Sequence, residues 1–312
     1  MTVPVQAPEA AAHKAPVAGT PDAREPLRRA ATFGDYLQLT KPRLTTLVVA
    51  TTLVGFIAGH TGPLDVAGLV HTVFGTFLVA AAASALNQWA ERDLDGAMRR
   101  TASRPLPAGN LTPGQALLFG LVLLAFGSGY LWLLANPLAS LLAVITAGSY
   151  LLAYTPLKRL TSLATVIGAI PGAIPPMIGW AAATGRLETG AWVLFLIVFF
   201  WQMPHFLAIA TLCRADYAQA GFRVLPVVDP GGASTGRQAA LYALALLPVS
   251  LLPSVTGLAG HWYFAGALLL SGGYLAFALR LLPAPDSVTR ARALFRWSLV
   301  YLPVLFTLLL VG

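Results

Sequence analysis

The chain has 312 residues, of which 57% are hydrophobic and only 10% are charged, and its mean hydropathy is +0.72. Soluble domains carry about 25% charged residues, so this composition excludes an ordinary soluble protein and predicts an all-α protein that crosses a membrane several times. The net charge of +8 fits basic loops on an anionic leaflet, and we expect no nucleic-acid binding. The single cysteine, Cys213, excludes a disulfide within the chain and a zinc site made of cysteines.

The first segment, residues 1–32, is rich in Ala and Pro and lacks apolar periodicity, so we expect a disordered cytoplasmic tail followed by one membrane domain over 33–312. The tail has no apolar region of the signal-peptide kind, and it contains three acids but no Ser, unlike a mitochondrial transit peptide. A bacterial inner membrane is therefore the expected location.

Apolar stretches of roughly 17–25 residues can cross a bilayer as helices. Nine such stretches follow in chain order, at residues 44–60, 66–88, 113–134, 138–155, 162–183, 189–211, 238–257, 261–280 and 294–311. The predicted fold is a nine-helix transmembrane bundle whose polar loops cap a central cavity.

Basic residues predict the orientation of this bundle. With the amino terminus in the cytoplasm, 19 of the 20 Lys and Arg fall in the tail or in the loops after the second, fourth, sixth and eighth helices, and only Arg186 falls outside. Because positive charge accumulates in cytoplasmic loops, we expect charged substrates to be handled on that face.

Asn87, Glu91 and Asp95 recur every four residues, so on a helix their side chains share one face. Simple pairing of these acids with nearby arginines is one interpretation. Acids at a helix carboxyl end oppose the helix dipole, however, and need a cation. Mg²⁺, which binds one or two carboxylates together with substrate phosphate oxygens, suits the row, and we predict these three side chains as metal ligands and catalytic residues. Asp93 falls on another face and is expected to be solvated.

A faint repeat links two polar loops on this face: Asp95 precedes an Arg-Pro-Leu-Pro string at 104–107, and Asp216 precedes Arg-Val-Leu-Pro at 223–226. Repeats often place a substrate site between them, so Asp216 is predicted either to add a catalytic carboxylate or to orient Arg214. Lys158 and Arg159, like Lys41 and Arg43, are either topology signals or contacts for a phosphorylated substrate.

His205 lies beside Pro204 inside the sixth helix. A buried histidine that hydrogen-bonds a neighbour is the ordinary interpretation. The alternative is a contact with a polar or metal-bearing substrate, for which we expect His205 to face the cavity.

These features together resemble the UbiA-type intramembrane prenyltransferase superfamily over roughly residues 33–311. The matching strings are TKPR at 40–43, the run 87–106, YTPLKR at 154–159, GAIPGA at 168–173, WQMPHF at 201–206 and the loop 216–226. The last two strings favour the branch that farnesylates heme. Two departures matter: position 91 is Glu where many members have Asp, and the second loop carries Asp216 without a full acidic pair, which argues against a two-metal site.

The resemblance implies a transferase that moves the farnesyl group of farnesyl diphosphate to heme b, with Mg²⁺ as cofactor and heme b as substrate. It also implies membrane lipid as the surroundings, with a heme A synthase or a second copy of the chain as further partners. The substrate-binding residues it implies are Lys41, Arg43, Arg100, Arg104, Tyr154, Lys158, Arg159, His205, Arg214 and Tyr217. Two alternatives stay open at this point: prenylation of a quinone precursor, and a secondary transporter with a midplane site.

Overall fold

Nine membrane-length helices dominate residues 30–312, the part of the chain that the computed structural model describes. They are α1 Pro42–Gly59, α2 Val66–Ala97, α3 Pro113–Leu134, α4 Pro137–Leu157, α5 Ala164–Thr184, α6 Thr189–Leu212, α7 Ala233–Val255, α8 His261–Leu279 and α9 Val288–Val311. No strand occurs in this described part. The predicted all-α, nine-helix membrane bundle is confirmed, whereas most of the predicted tail, residues 1–29, lies outside the described residues.

Local sequence explains where several helices begin. Thr112 and Gln115 form a reciprocal capping box at the start of α3, with Pro113 as the first helical residue. The side chain of Asn136 accepts a hydrogen bond from the Ala139 N–H at the start of α4. Such bonds satisfy N–H groups that a helix leaves free at its amino end. Helices α3 and α4 therefore begin at, or next to, the first residues predicted for them.

The end of α2 is the main difference from the predicted boundaries. The helix continues to Ala97, well beyond the predicted end at residue 88, although its last turns are polar. Hydropathy cannot detect this extension, because the polar side chains there are stabilised by contacts with distant parts of the chain.

Helices α5 and α6 occupy the centre of the bundle. In each of them, 67% of an apolar 18-residue stretch is buried inside the protein. Glycines let α1 lie directly against α5. A Cβ atom added to Gly55 would overlap the Pro176 carbonyl, and one added to Gly179 would overlap the Thr52 carbonyl. Such close backbone approach is how small residues pack membrane helices.

The loops after α2, α4, α6 and α8 form one end of the bundle, which we call the polar end. Two short helices, Arg214–Gln219 and Leu225–Val228, lie in the loop after α6, and another, Phe33–Leu39, precedes α1. Met98, Ala220 and Phe222 form a small buried apolar cluster that joins the loop after α2 to the loop after α6. A backbone hydrogen bond from Arg223 N to Lys158 O, 2.8 Å long, ties the latter loop to the end of α4.

Candidate active site

A cavity of about 290 Å³ opens beneath the loops of the polar end. Its lining includes many of the predicted site residues, namely Lys41, Asn87, Glu91, Asp95, Arg100, Arg104, Tyr154, Lys158 and Tyr217. These residues come from four separate regions of the chain, and the fold places them around one space.

The row of Asn87, Glu91 and Asp95 forms one wall of this cavity, and all three side chains are buried. Because α2 continues to Ala97, the row lies on regular helix and keeps the common face that the spacing predicted. Asp93, on the same helix, is 85% exposed, as its different face predicted.

Each member of the row contacts a different basic side chain. Lys41 Nζ donates a hydrogen bond to Asn87 Oδ1 at 2.9 Å. Lys158 Nζ lies 2.5 Å from Glu91 Oε1. Arg104 donates to Asp95 Oδ2 at 2.6 Å.

Buried carboxylates need such partners, because an unpaired buried charge is strongly destabilising. The cavity therefore has positive and negative charges side by side, an arrangement suited to a metal ion and an anionic ligand together.

Lys41 reaches Asn87 from an unusual backbone conformation. Among residues 30–312, Lys41 is the one residue other than glycine that has a positive φ, which is 48°. It lies at the junction between the short helix Phe33–Leu39 and α1. A left-handed conformation costs an L-residue about 1–2 kcal/mol, and such strain concentrates at functional sites. Burial lowers the pKa of the Lys41 ammonium to about 7, with Arg104 adding to the effect. An anion bound in the cavity would favour the charged ammonium.

Among residues 30–312 there is no group of three or more His, Cys, Asp or Glu side chains that could hold a metal ion. The donors present nevertheless fit Mg²⁺, because one or two carboxylates suffice when phosphate oxygens and water complete the coordination shell. Glu91 and Asp95 supply the carboxylates, and the amide oxygen of Asn87 is a further hard oxygen donor.

Tyr154 and Lys158 lie one helical turn apart, and both line the cavity. Lys158 Nζ stands 4.8 Å from the centroid of the Tyr154 ring and 5.2 Å from that of Phe222. Gly168 explains part of the GAIPGA string, since a Cβ atom there would overlap the Tyr154 ring. The loop after α6 contributes Tyr217 to the cavity lining. The centroid of the Tyr217 ring is 5.7 Å from the Arg100 guanidinium carbon.

The structure does not bring every predicted residue to the cavity. Arg43 and Arg159 are exposed, and Asp216 is only half-buried and absent from the lining. Arg214 contacts Asp286 at 3.2 Å, in the loop after α8, so the structure does not show the expected pairing with Asp216.

His205 follows the ordinary one of its two interpretations and does not line the cavity. It is buried and lies outside the cavity lining, with Nδ1 2.7 Å from the Ser298 hydroxyl and its ring stacked on Trp201 at 5.1 Å between centroids. His205 lies about 100° around α6 from Phe206, which lines the cavity, and its ring meets Ser298 of α9.

Sequence inspection did not single out Tyr150, Thr155 or Thr101, which help to build the site. Tyr150 lines the cavity one turn before Tyr154. Thr155 accepts a hydrogen bond from Asn87 Nδ2 at 3.2 Å, and the Thr101 hydroxyl donates to the Asp95 carbonyl at 2.7 Å. The four-residue spacing of Tyr150 and Tyr154 was the available signal for the first. Thr155 and Thr101 stand inside the matching strings 154–159 and 87–106, but their hydrogen bonds can be seen only in the fold.

A second, wider pocket of about 680 Å³ lies at the other end of the bundle, around Trp180 and the 187–192 turn. Glu188, its one charged lining residue, pairs with Arg186 at 2.8 Å. It contains none of the predicted site residues, so the smaller cavity is the candidate active site.

Comparison with known sequences agrees with this geometry. The model of the UbiA prenyltransferase family matches residues 48–300. The protoheme IX farnesyltransferase of Solibacter usitatus is 46% identical over 285 residues, which cover 88% of this chain and 97% of that protein. The protein of the same name from Opitutus terrae is 43% identical over 282 residues, covering 90% of this chain and 95% of that protein.

Solved structures show the same fold at lower sequence identity. A digeranylgeranylglyceryl phosphate synthase has a TM-score of 0.76 at 19% identity and covers 89% of this chain and 97% of its own. A UbiA homolog from Archaeoglobus fulgidus, bound to GPP and Mg²⁺, has a TM-score of 0.63 at 16% identity and covers 88% of this chain and 99% of its own. The family model and the two protoheme IX farnesyltransferases each match most of this chain. They show that the chain belongs to the UbiA prenyltransferase family and is a multi-pass membrane transferase.

Proposed function

We propose that this chain transfers the farnesyl group of farnesyl diphosphate to a vinyl group of protoheme IX (heme b), giving heme O and pyrophosphate. The observation that carries the proposal is the 46% identity to a protoheme IX farnesyltransferase along 97% of that protein's length. The cavity supports it, because it combines a carboxylate row with several cations at one end of an apolar bundle.

The diphosphate of the donor binds where the cations converge. Lys41, Arg104 and Lys158 surround the acidic row, and their ammonium and guanidinium groups suit phosphate oxygens. When the carbon–oxygen bond of the donor breaks, the electron pair leaves with pyrophosphate and the charge on those oxygens increases. Cations fixed beside them therefore stabilise the transition state more than the bound substrate.

Asn87, Glu91 and Asp95 are the residues proposed to hold Mg²⁺, in agreement with the Mg²⁺ and prenyl diphosphate bound to the Archaeoglobus homolog. Bound there, the ion would supply positive charge for the departing diphosphate. The protein's own contribution is to keep three oxygen donors on one rigid helix face, next to the cations that contact the same substrate group.

The remaining chemistry needs an environment without water. Loss of pyrophosphate leaves an allylic cation, and the vinyl π electrons of heme b attack its terminal carbon. The new cation beside the porphyrin then takes up water and releases a proton, which leaves a hydroxyethylfarnesyl side chain. Met98 and Phe222, packed together in the loops above the cavity, restrict water until the carbon–carbon bond has formed.

We also propose that the porphyrin contacts α6 and α9 near His205. The Ser298 hydroxyl donates to the Phe295 carbonyl at 2.6 Å, so it accepts from His205 Nδ1. The neutral imidazole then carries its proton on Nδ1 and keeps the Nε2 lone pair, which is the form of histidine that binds iron. Phe206, the next residue, lines the cavity, so this edge of α6 is adjacent to the donor site.

The split of basic residues supports a cytoplasmic location for the polar end, in a bacterial inner membrane. Heme b and the isoprenoid are both apolar and would enter from the lipid. Contacts with a heme A synthase or with a second copy of the chain stay predictions.

Neither alternative finds comparable support. A quinone precursor would fit the fold, but both relatives described above are named for protoheme IX. A transporter would need its polar site near mid-membrane, whereas the charged side chains of this cavity gather at one end.

Purified protein, incubated with heme b, farnesyl diphosphate and Mg²⁺, should form heme O and pyrophosphate, as detected by mass spectrometry and a phosphate assay. Absence of heme O, with prenylation of a phenolic acceptor instead, would support the quinone alternative.

A further inference from the structure

We infer that Tyr150 is a catalytic residue whose ring stabilises the allylic cation and shields it from water. The inference rests on the proposed function, because it concerns the carbon that leaves the diphosphate. Tyr150 lines the cavity, and its ring stacks on that of Tyr154 with centroids 5.4 Å apart and 30° between the ring planes.

The pair lies on a local break in α4. Residues Ser149–Tyr154 form a π-helical turn within the otherwise α-helical span. Such turns insert one extra residue and occur often at functional sites, because they redirect side chains on one helix face. The Thr155 hydroxyl donates to the Tyr150 carbonyl at 2.9 Å and accepts from Asn87 at 3.2 Å, so the turn is attached to the metal-binding row.

The two rings have different neighbours. Tyr154 already has a cation against it, the Lys158 ammonium at 4.8 Å, and Lys158 is a predicted ligand of the leaving diphosphate. Among residues 30–312, no such cation–ring contact is formed by Tyr150. Its ring is therefore available for the second positive charge in the reaction, which forms on carbon.

Tyr150 also lies at the right depth. A small apolar pocket between α1, α2, α4 and α5 is lined by Val48, Ala83 and Thr146. Each lies one helical turn deeper than a residue of the polar cavity, respectively Leu44, Asn87 and Tyr150. A donor whose diphosphate contacts the cations and whose tail points to this pocket has its reacting carbon at the level of Tyr150. An aromatic face attracts a desolvated cation, and a ring at that position also occupies space that water would need.

The chemistry provides a direct measurement. An allylic cation attacked by the vinyl group gives the prenylated product, whereas attack by water, with loss of a proton, gives farnesol. Tyr150→Leu removes the ring face and retains apolar bulk, so it should lower kcat at least about tenfold with little change in KM for farnesyl diphosphate. It should also raise the ratio of farnesol to prenylated product. Tyr150→Phe keeps the ring and should retain both the rate and the product ratio.

Tyr242→Leu is the matched control, because Tyr242 is a half-buried tyrosine on α7 that contacts Phe200 and does not line the cavity. It should leave the product ratio unchanged. The inference is overturned if Tyr150→Leu keeps the rate and ratio of the wild type, or if Tyr150→Phe is as impaired as Tyr150→Leu. Pyrophosphate release and the ratio of farnesol to prenylated product can be measured with any acceptor. If heme b is not the acceptor, the wild type itself will fail to prenylate it, and the Tyr150 variants can still be compared with the wild type on another acceptor.

Discussion

Lys158 Nζ lies 2.5 Å from Glu91 Oε1, and both side chains are almost fully buried at the edge of the cavity. The residue predicted to bind the diphosphate is thus the counter-ion of a residue predicted to bind the metal. The same relationship joins Arg104 to Asp95 and, through an amide oxygen, Lys41 to Asn87. If the acidic row holds the metal and these cations bind the diphosphate, as proposed, the metal would replace the cations on the row and the released cations would bind phosphate.

This exchange predicts that metal and diphosphate bind cooperatively. Mn²⁺ as a probe, followed by electron paramagnetic resonance, should bind the wild type at least ~10-fold more tightly with inorganic pyrophosphate present, a coupling of about 1.4 kcal/mol. Lys158→Gln leaves Glu91 without its counter-ion, so Mn²⁺ alone should bind this variant more tightly than the wild type. Arg159→Gln, at the exposed neighbouring position, is the control. Equal Mn²⁺ affinity with and without pyrophosphate in the wild type would contradict partner exchange.

Asp95→Asn should lower turnover by at least ~10²-fold, because a preorganised charge next to a developing anion contributes a few kcal/mol. Asp93→Asn is a control on the same helix with the same chemical change, and its exposed side chain should make it silent. Glu91→Asp should be milder than Asp95→Asn, since it keeps the charge and loses one methylene of reach. Normal steady-state turnover by folded Asp95→Asn would exclude the proposed role of the acidic row.

Lys41 tests whether backbone strain serves the site. Lys41→Gly relieves the positive φ but, like Lys41→Ala, removes the hydrogen bond to Asn87, so it should be about 1 kcal/mol more stable than Lys41→Ala while weakening pyrophosphate binding. Lys41→Ala loses the same ammonium and keeps the strained backbone, so it should bind pyrophosphate as weakly and unfold at a lower temperature than Lys41→Gly. Thermal unfolding in detergent and pyrophosphate titration measure the two effects. If Lys41→Gly binds pyrophosphate like the wild type, the strain does not serve this ligand.

His205→Ala should impair heme b binding and leave pyrophosphate binding largely intact, because the imidazole lies outside the cavity lining. Ser298→Ala removes the acceptor that fixes the proton on Nδ1 and should weaken heme b binding less than His205→Ala does. Heme titration followed by optical spectroscopy gives both affinities. Unchanged spectra and affinity in His205→Ala, together with a lower unfolding temperature, would show that His205 only packs and hydrogen-bonds within the bundle.

The proposed orientation can be tested with single cysteines. In a Cys213→Ala background, Asp93→Cys lies at the polar end and Arg186→Cys between α5 and α6 at the other end. Both native side chains are exposed, at 85% and 75%. A membrane-impermeant maleimide added to intact cells should label Arg186→Cys, and Asp93→Cys only after the membrane is opened. The reverse result would place the polar end outside the cell.

Sequence patterns alone predicted much of this protein. Each apolar stretch is long enough to satisfy its own backbone hydrogen bonds as a helix, so composition and length located the nine spans found within residues 30–312. The four-residue spacing of Asn87, Glu91 and Asp95 is likewise a property of one helix, and the common face it predicted is the wall of the cavity. Both depend on interactions between residues that are close together in the chain.

The partners of these residues depended on the tertiary structure. The pairing of Lys158 with Glu91 joins α4 to α2, and the strained position of Lys41 depends on how Phe33–Leu39 meets α1. His205 was expected at the cavity and lies against Ser298 instead, because a rotation of one residue about α6 changes which helix a side chain meets. A charge or a ring can be identified from sequence, but the group that it contacts is set by which helices pack together and at what rotation.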